Sequence, residues 1–68
     1  MRQKLRKQLA AFLKNARGKM TYAQFETKMG ISASTLHRIE MCNQNVTIDT
    51  LEDIMERLKA SLTDIFPE

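Results

Sequence analysis

The stretch from Thr21 to Glu40, TYAQFETKMGISASTLHRIE, leaves the chain little choice of fold, because two helix starts and one helix stop are written into it. Thr21 is a good N-cap, and Gln24 three residues later can reach back to its N–H, which makes a capping box. Met20 and Phe25 stand at the positions before the cap and in the first turn where two apolar side chains clip the entering chain. A helix is therefore predicted from Tyr22. Gly30, just past the apolar Met29, accepts the left-handed conformation that closes helices. Ser32 is the next cap, flanked by Ile31 and Leu36 in the same stapling relation. The second helix thus begins only two or three residues after the first ends, too short a connection for antiparallel packing, so the pair must cross steeply.

On the second predicted helix, Ser32 to Met41, Leu36 and Ile39 fall three apart and turn inward. The outward face is then Ala33, Ser34, His37 and Arg38. None of these is a large aliphatic, and three carry groups that bond to base edges or phosphates. The expectation is a helix-turn-helix whose second helix enters the major groove of duplex DNA, with its N-terminal end nearest the bases.

These residues resemble the Cro and phage-repressor type of helix-turn-helix, the XRE family of small bacterial and phage regulators. The match lies in the turn Gly30-Ile31-Ser32, the run S-T-L-x-R-I-E from Ser34 to Glu40, and T-I-D-T-L from Thr47 to Leu51, and it extends from about Leu5 to Phe66. The resemblance implies an all-α, compact five-helix lambda-repressor-like DNA-binding domain. Members usually carry Gln where Tyr22 stands, touching phosphate and bracing the recognition helix; a tyrosine hydroxyl can donate in its place. They favour Ala where Glu26 stands, so a Glu here is expected to lean outward. They also often bury an Arg of the first helix against the acid matching Glu40, and Lys14 is nearest to that Arg position, with an ammonium that lacks the bidentate fork.

The remaining segments supply a scaffold. Leu5, Leu9, Phe12, Leu13 and Ala16 recur at helical spacing, which predicts a first helix over about Arg2 to Ala16 that Gly18 ends. Thr47 caps a fourth helix, stapled by Val46 and Leu51, with Leu51, Ile54, Met55 and Leu58 as its buried face. Ser61 with Asp64 opens a last short helix through Phe66, which Pro67 prevents from continuing. With 68 residues there is room for one core only, so residues 1–68 are read as a single domain with its motif at about 21–41.

Charge is distributed unevenly along the chain. From Met1 to Phe25 there are seven basic residues and no acid, whereas from Met41 to Glu68 six acids face only Arg57 and Lys59. A basic half beside the motif suits a ligand whose affinity comes largely from phosphate neutralisation. One histidine and one cysteine, His37 and Cys42, fall short of a zinc set and of a disulfide. No nucleophile, base and orienting group can be assembled, so neither enzyme chemistry nor a cofactor or metal is expected. No apolar run would span a bilayer or make a signal peptide, which places the protein in the cytoplasm, and the basic first helix cannot both bind lipid and close the core.

Ala33, Ser34, His37 and Arg38 are the expected base contacts, with Arg38 able to grip guanine bidentately. Thr21, Tyr22, Ser32 and Thr35, with Gln44 and Asn45 in the following loop, are the expected phosphate contacts. The partner is double-stranded DNA, read by a homodimer across a palindromic operator. Leu62, Ile65 and Phe66 either supply its contact or close the monomer's own core, and closure is favoured slightly. The alternative is a protein-interaction module, such as an antitoxin holding a toxin, which would not need Ser34 or Arg38.

Overall fold

The computed structural model describes residues 3–42 and 45–67 and, among them, five helices and no strand. These are α1 (Gln3–Arg17), α2 (Tyr22–Met29), α3 (Ala33–Glu40), α4 (Ile48–Leu58) and α5 (Leu62–Ile65). No helix among the described residues is long and apolar enough to cross a membrane.

The caps fix the boundaries. Thr21 Oγ1 accepts from the Gln24 N–H at 3.1 Å while Gln24 Oε1 accepts from the Thr21 N–H at 2.9 Å. Ser32 Oγ accepts from the Thr35 N–H, and Thr47 Oγ1 from the Thr50 N–H. At α5 the Asp64 carboxylate accepts from the Ser61 N–H. Gly30 closes α2 at φ 68°, ψ 20°, donating its N–H to the Glu26 carbonyl. A cap contributes about 1 kcal/mol, whereas one fully buried Leu, Ile or Phe contributes roughly 1.5–3 kcal/mol. Eight such side chains, Leu9, Leu13, Phe25, Met29, Leu36, Ile39, Ile54 and Ile65, form the core cluster. The caps therefore decide where helices begin, and the core decides how they lie.

Every helix contributes to that core. Leu9 and Leu13 come from α1, Phe25 and Met29 from α2, Leu36 and Ile39 from α3, Ile54 from α4 and Ile65 from α5. Met20, Ile31, Val46, Leu51, Met55, Leu58 and Phe66 pack half-buried around it, so the stapling pairs serve as the sequence predicts. Three expectations need correcting. The first helix runs to Arg17 rather than stopping at Ala16, because the Gly18 N–H still reaches the Lys14 carbonyl at 3.0 Å. Leu5 is 57% exposed despite lying on the apolar stripe, since at that end of α1 it lines an open groove instead of meeting a neighbouring helix. The three C-terminal apolar residues divide: Ile65 is buried, Phe66 packs against the core and Leu62 stays 53% exposed.

A Cβ at Gly30 would lie 3.2 Å from an Arg57 guanidinium nitrogen, the movable end of a long side chain. The cost of a side chain there is set by the positive φ. Gly30→Ala is expected to lower stability by about 1–2 kcal/mol in urea unfolding; an unchanged midpoint would mean that α2 does not end in the left-handed conformation.

Candidate functional site

The geometry of α3 is decided by a charge on its inner side. Glu40, the last residue of α3, is buried with none of its side chain exposed. A carboxylate in that position must find donors or lose its charge. It finds three. Arg17 Nε donates to Oε2 at 3.0 Å and Arg17 Nη2 to Oε1 at 3.2 Å, a bidentate grip from the end of α1. The Tyr22 hydroxyl donates to Oε1 at 3.0 Å from the start of α2. Arg17 also donates from Nη1 to the Met20 carbonyl at 3.0 Å, which fixes the corner between the two helices. Its guanidinium lies 4.3 Å from the centroid of the Tyr22 ring, a cation–π contact.

The tether to Glu40 therefore comes from Arg17 and not from Lys14, which is exposed. Arg17 is nearly one turn further along α1, beside the corner, and its fork matches both carboxylate oxygens. The signal was present in the sequence, since Arg17 is the only arginine between Lys7 and Arg38. The hydrogen bond to Glu40 holds the Arg17 proton above its ordinary range, against the opposing effect of burial. Burial first, and then the hydrogen bond to Glu40, raises the Tyr22 hydroxyl above its ordinary value.

On the outer side of α3, Ser34, His37 and Arg38 are exposed, and Ala33 and Thr35 are half-buried. The structure thus brings the four expected base contacts onto one helix face. The His37 ring meets the Tyr22 ring edge-on, with centroids 5.3 Å apart and planes at 83°. Tyr22 consequently joins the buried Glu40 to the outer side chain of His37. Its one hydroxyl proton is directed to Glu40, inside the fold rather than outward.

The other expected phosphate contacts are placed unequally. Thr21 is exposed at the head of α2. Ser32 Oγ donates to Thr35 Oγ1 at 2.8 Å, which commits the Ser32 proton and leaves the Thr35 proton free. Asn45 Oδ1 accepts from Arg6 Nη2, so its side chain is held against α1, at a groove whose lining comes from α1, α4, α5 and the residues before α4. Gln44 lies outside the described residues. Sequence reasoning missed one further side chain at this end of α3. Glu26 is exposed, as its polarity requires, but its Oε1 accepts from the Ala33 N–H at 3.0 Å instead of leaning away.

Comparison with known proteins bears on the whole arrangement. A family model described as a Cro/C1-type HTH DNA-binding domain matches residues 13–67. No curated protein matches the chain, and no solved structure does. The matched segment includes Arg17, Tyr22, all of α2 and α3, and Glu40.

Two outcomes are expected from the Glu40 network. Arg17→Met strands a buried carboxylate and should lower the melting temperature by roughly 10 °C or more, while Lys14→Met leaves it nearly unchanged in the same circular-dichroism melts. Comparable losses from the two would remove the tether. Because the Tyr22 hydroxyl keeps its proton to higher pH in the folded chain, its stabilisation is complete below the unfolded value near pH 10 and is lost as pH rises through the folded one. As pH rises above about 10 the melting temperature should fall more steeply for the wild type than for Tyr22→Phe; parallel slopes would contradict the raised hydroxyl.

Proposed function

Because the chain belongs to the family of Cro/C1-type HTH DNA-binding domains, we propose that it is a sequence-specific repressor of transcription that seats α3 in the major groove of duplex DNA. The observation that carries this reading is the contrast between the two sides of α3. Its inner side is locked by the buried Glu40 pair, and its outer side offers Ser34, His37 and Arg38 to solvent. A rigid helix with exposed hydrogen-bonding groups is what direct readout of base edges requires.

Arg38 carries the main base contact, a bidentate bond to guanine O6 and N7, and Ser34 the second. His37 is a third reader, steadied by the Tyr22 ring, and Ala33 offers its methyl group to a thymine methyl. Among the phosphate contacts, Thr21 and Thr35 keep a hydroxyl proton to donate, whereas those of Tyr22 and Ser32 are directed within the protein. Gln44 is the remaining candidate for a phosphate contact, through its side-chain amide, whereas the Asn45 side chain is engaged by Arg6. The exposed Lys28 and Lys19 contribute to the surrounding positive field.

A specific operator is read by two copies across half-sites one helical turn apart. Leu62 and Leu5, both more than half exposed, border the groove in which α1 approaches α5 and supply apolar surface for that pairing. Where such an operator overlaps a promoter, occupying it excludes the polymerase, so repression needs no chemistry beyond binding.

Selection from random duplex DNA at stated salt tests the reading. Enrichment of a two-fold symmetric site is expected, with Arg38→Ala weakening it by roughly 1–3 kcal/mol and relaxing one base preference. Enrichment of no sequence would overturn the function, and a uniform loss across all sequences would reassign Arg38 to phosphate.

A further inference from the structure

Between Met1 and Glu40 the chain has only two acids, Glu26 and Glu40. Glu40 is buried and paired with Arg17. Glu26 is the one exposed acid of these forty residues. Its position is not incidental. The carboxylate reaches across the turn from α2 and accepts from the Ala33 N–H, the first N–H of α3, at 3.0 Å. With Ser32 Oγ accepting from the Thr35 N–H, two of the first-turn amides that would otherwise attract an anion at this helix end are engaged from inside the protein. The acid thus adds a full negative charge at the end of the helix that, in the function proposed above, lies nearest the bases.

We propose that Glu26 is a specificity-determining residue of the DNA interface. Two consequences follow from one carboxylate. A negative charge close to the DNA backbone weakens attraction to phosphates wherever the protein lands, so binding to arbitrary sequence is held down. An ionised carboxylate also has acceptor capacity left after one N–H, and no donor. It therefore favours a base that presents an amino group in the major groove, cytosine N4 or adenine N6, and disfavours the O4 and O6 acceptors of thymine and guanine. Cognate DNA recovers at that base part of what every sequence loses to repulsion, and discrimination rises.

The inference rests on the DNA-reading function, and the test separates the two. Wild type, Glu26→Gln and Glu26→Ala are each put through selection from random duplex DNA. Each is then titrated against the wild-type site and against a duplex of scrambled sequence at two salt concentrations. Glu26→Gln keeps an acceptor for the Ala33 N–H, so its thermal melt reports whether the cap survives. Affinity for the scrambled duplex should rise roughly fivefold in Glu26→Gln, the ratio of specific to non-specific affinity should fall, and the preference for cytosine or adenine at one position of each half-site should fade in Glu26→Ala. A purely structural cap predicts instead an unchanged ratio in Glu26→Gln and an unchanged base preference in Glu26→Ala, and that result would overturn the proposal. If the wild type enriches no site at all, the DNA-reading function fails first and the role of Glu26 falls with it.

Discussion

A single buried carboxylate organises this protein. Glu40 sits at the end of α3 with no exposed side-chain surface, in a small core that has no other buried charge among the described residues. Leaving it without partners would cost several kcal/mol, a large share of the stability of a 68-residue chain. Its partners therefore have to be in place whenever the protein is folded. They come from the end of α1 and the start of α2, so satisfying one side chain fixes the relative placement of three helices. Apolar packing alone would specify that placement less narrowly, since Leu, Ile and Met surfaces tolerate small slides. The polar network removes that tolerance at α3, the helix proposed to meet DNA.

The same network connects stability to the surface. Tyr22 is bonded to Glu40, covered by Arg17 and touched edge-on by His37, so a side chain on the exposed side of α3 is steadied by a residue whose own anchor is buried. Opposite charges are also kept apart along the fold. The basic residues of α1 and of the loop after it stand with the first half of the chain, and the acids collect on α4 and beyond. Glu26 is the one exposed acid of the first forty residues, with its carboxylate at the N-terminal end of α3.

The order and kind of the helices could be read from the sequence because their ends carry local chemistry. Thr21 with Gln24, Gly30, Ser32 and Thr47 each act through groups within four residues, and all appear in the structure in their expected roles. The family resemblance drawn from Gly30-Ile31-Ser32 and Ser34 to Glu40 agrees with the family model over residues 13–67. What could not be read were the contacts between side chains distant in sequence. Arg17 stands four residues after Leu13 and eight after Leu9, on the inward stripe of α1, whereas Lys14 faces solvent, but which distant carboxylate it meets is set by how α1 packs on α3. Glu26 turned to the Ala33 N–H because the steep crossing places a free amide within its reach, and outward polarity gave no sign of it. Asn45 paired with Arg6 across 39 positions, a distance at which no local rule operates. Leu5 shows the converse limit: periodicity marked the stripe correctly, but it carries no information about where the neighbouring helix stops.

The outer side of α3, held by Glu40, is the surface proposed to meet DNA. Backbone amide and Arg side-chain resonances of the isotopically labelled protein, followed by NMR as duplex DNA is added, report on that contact residue by residue. The largest shifts should fall on Ala33 to Arg38 and on Thr21, while the Arg17 and Tyr22 signals keep the signature of an intact Glu40 network. Shifts concentrated elsewhere, with Ser34, His37 and Arg38 unmoved at saturation, would contradict it.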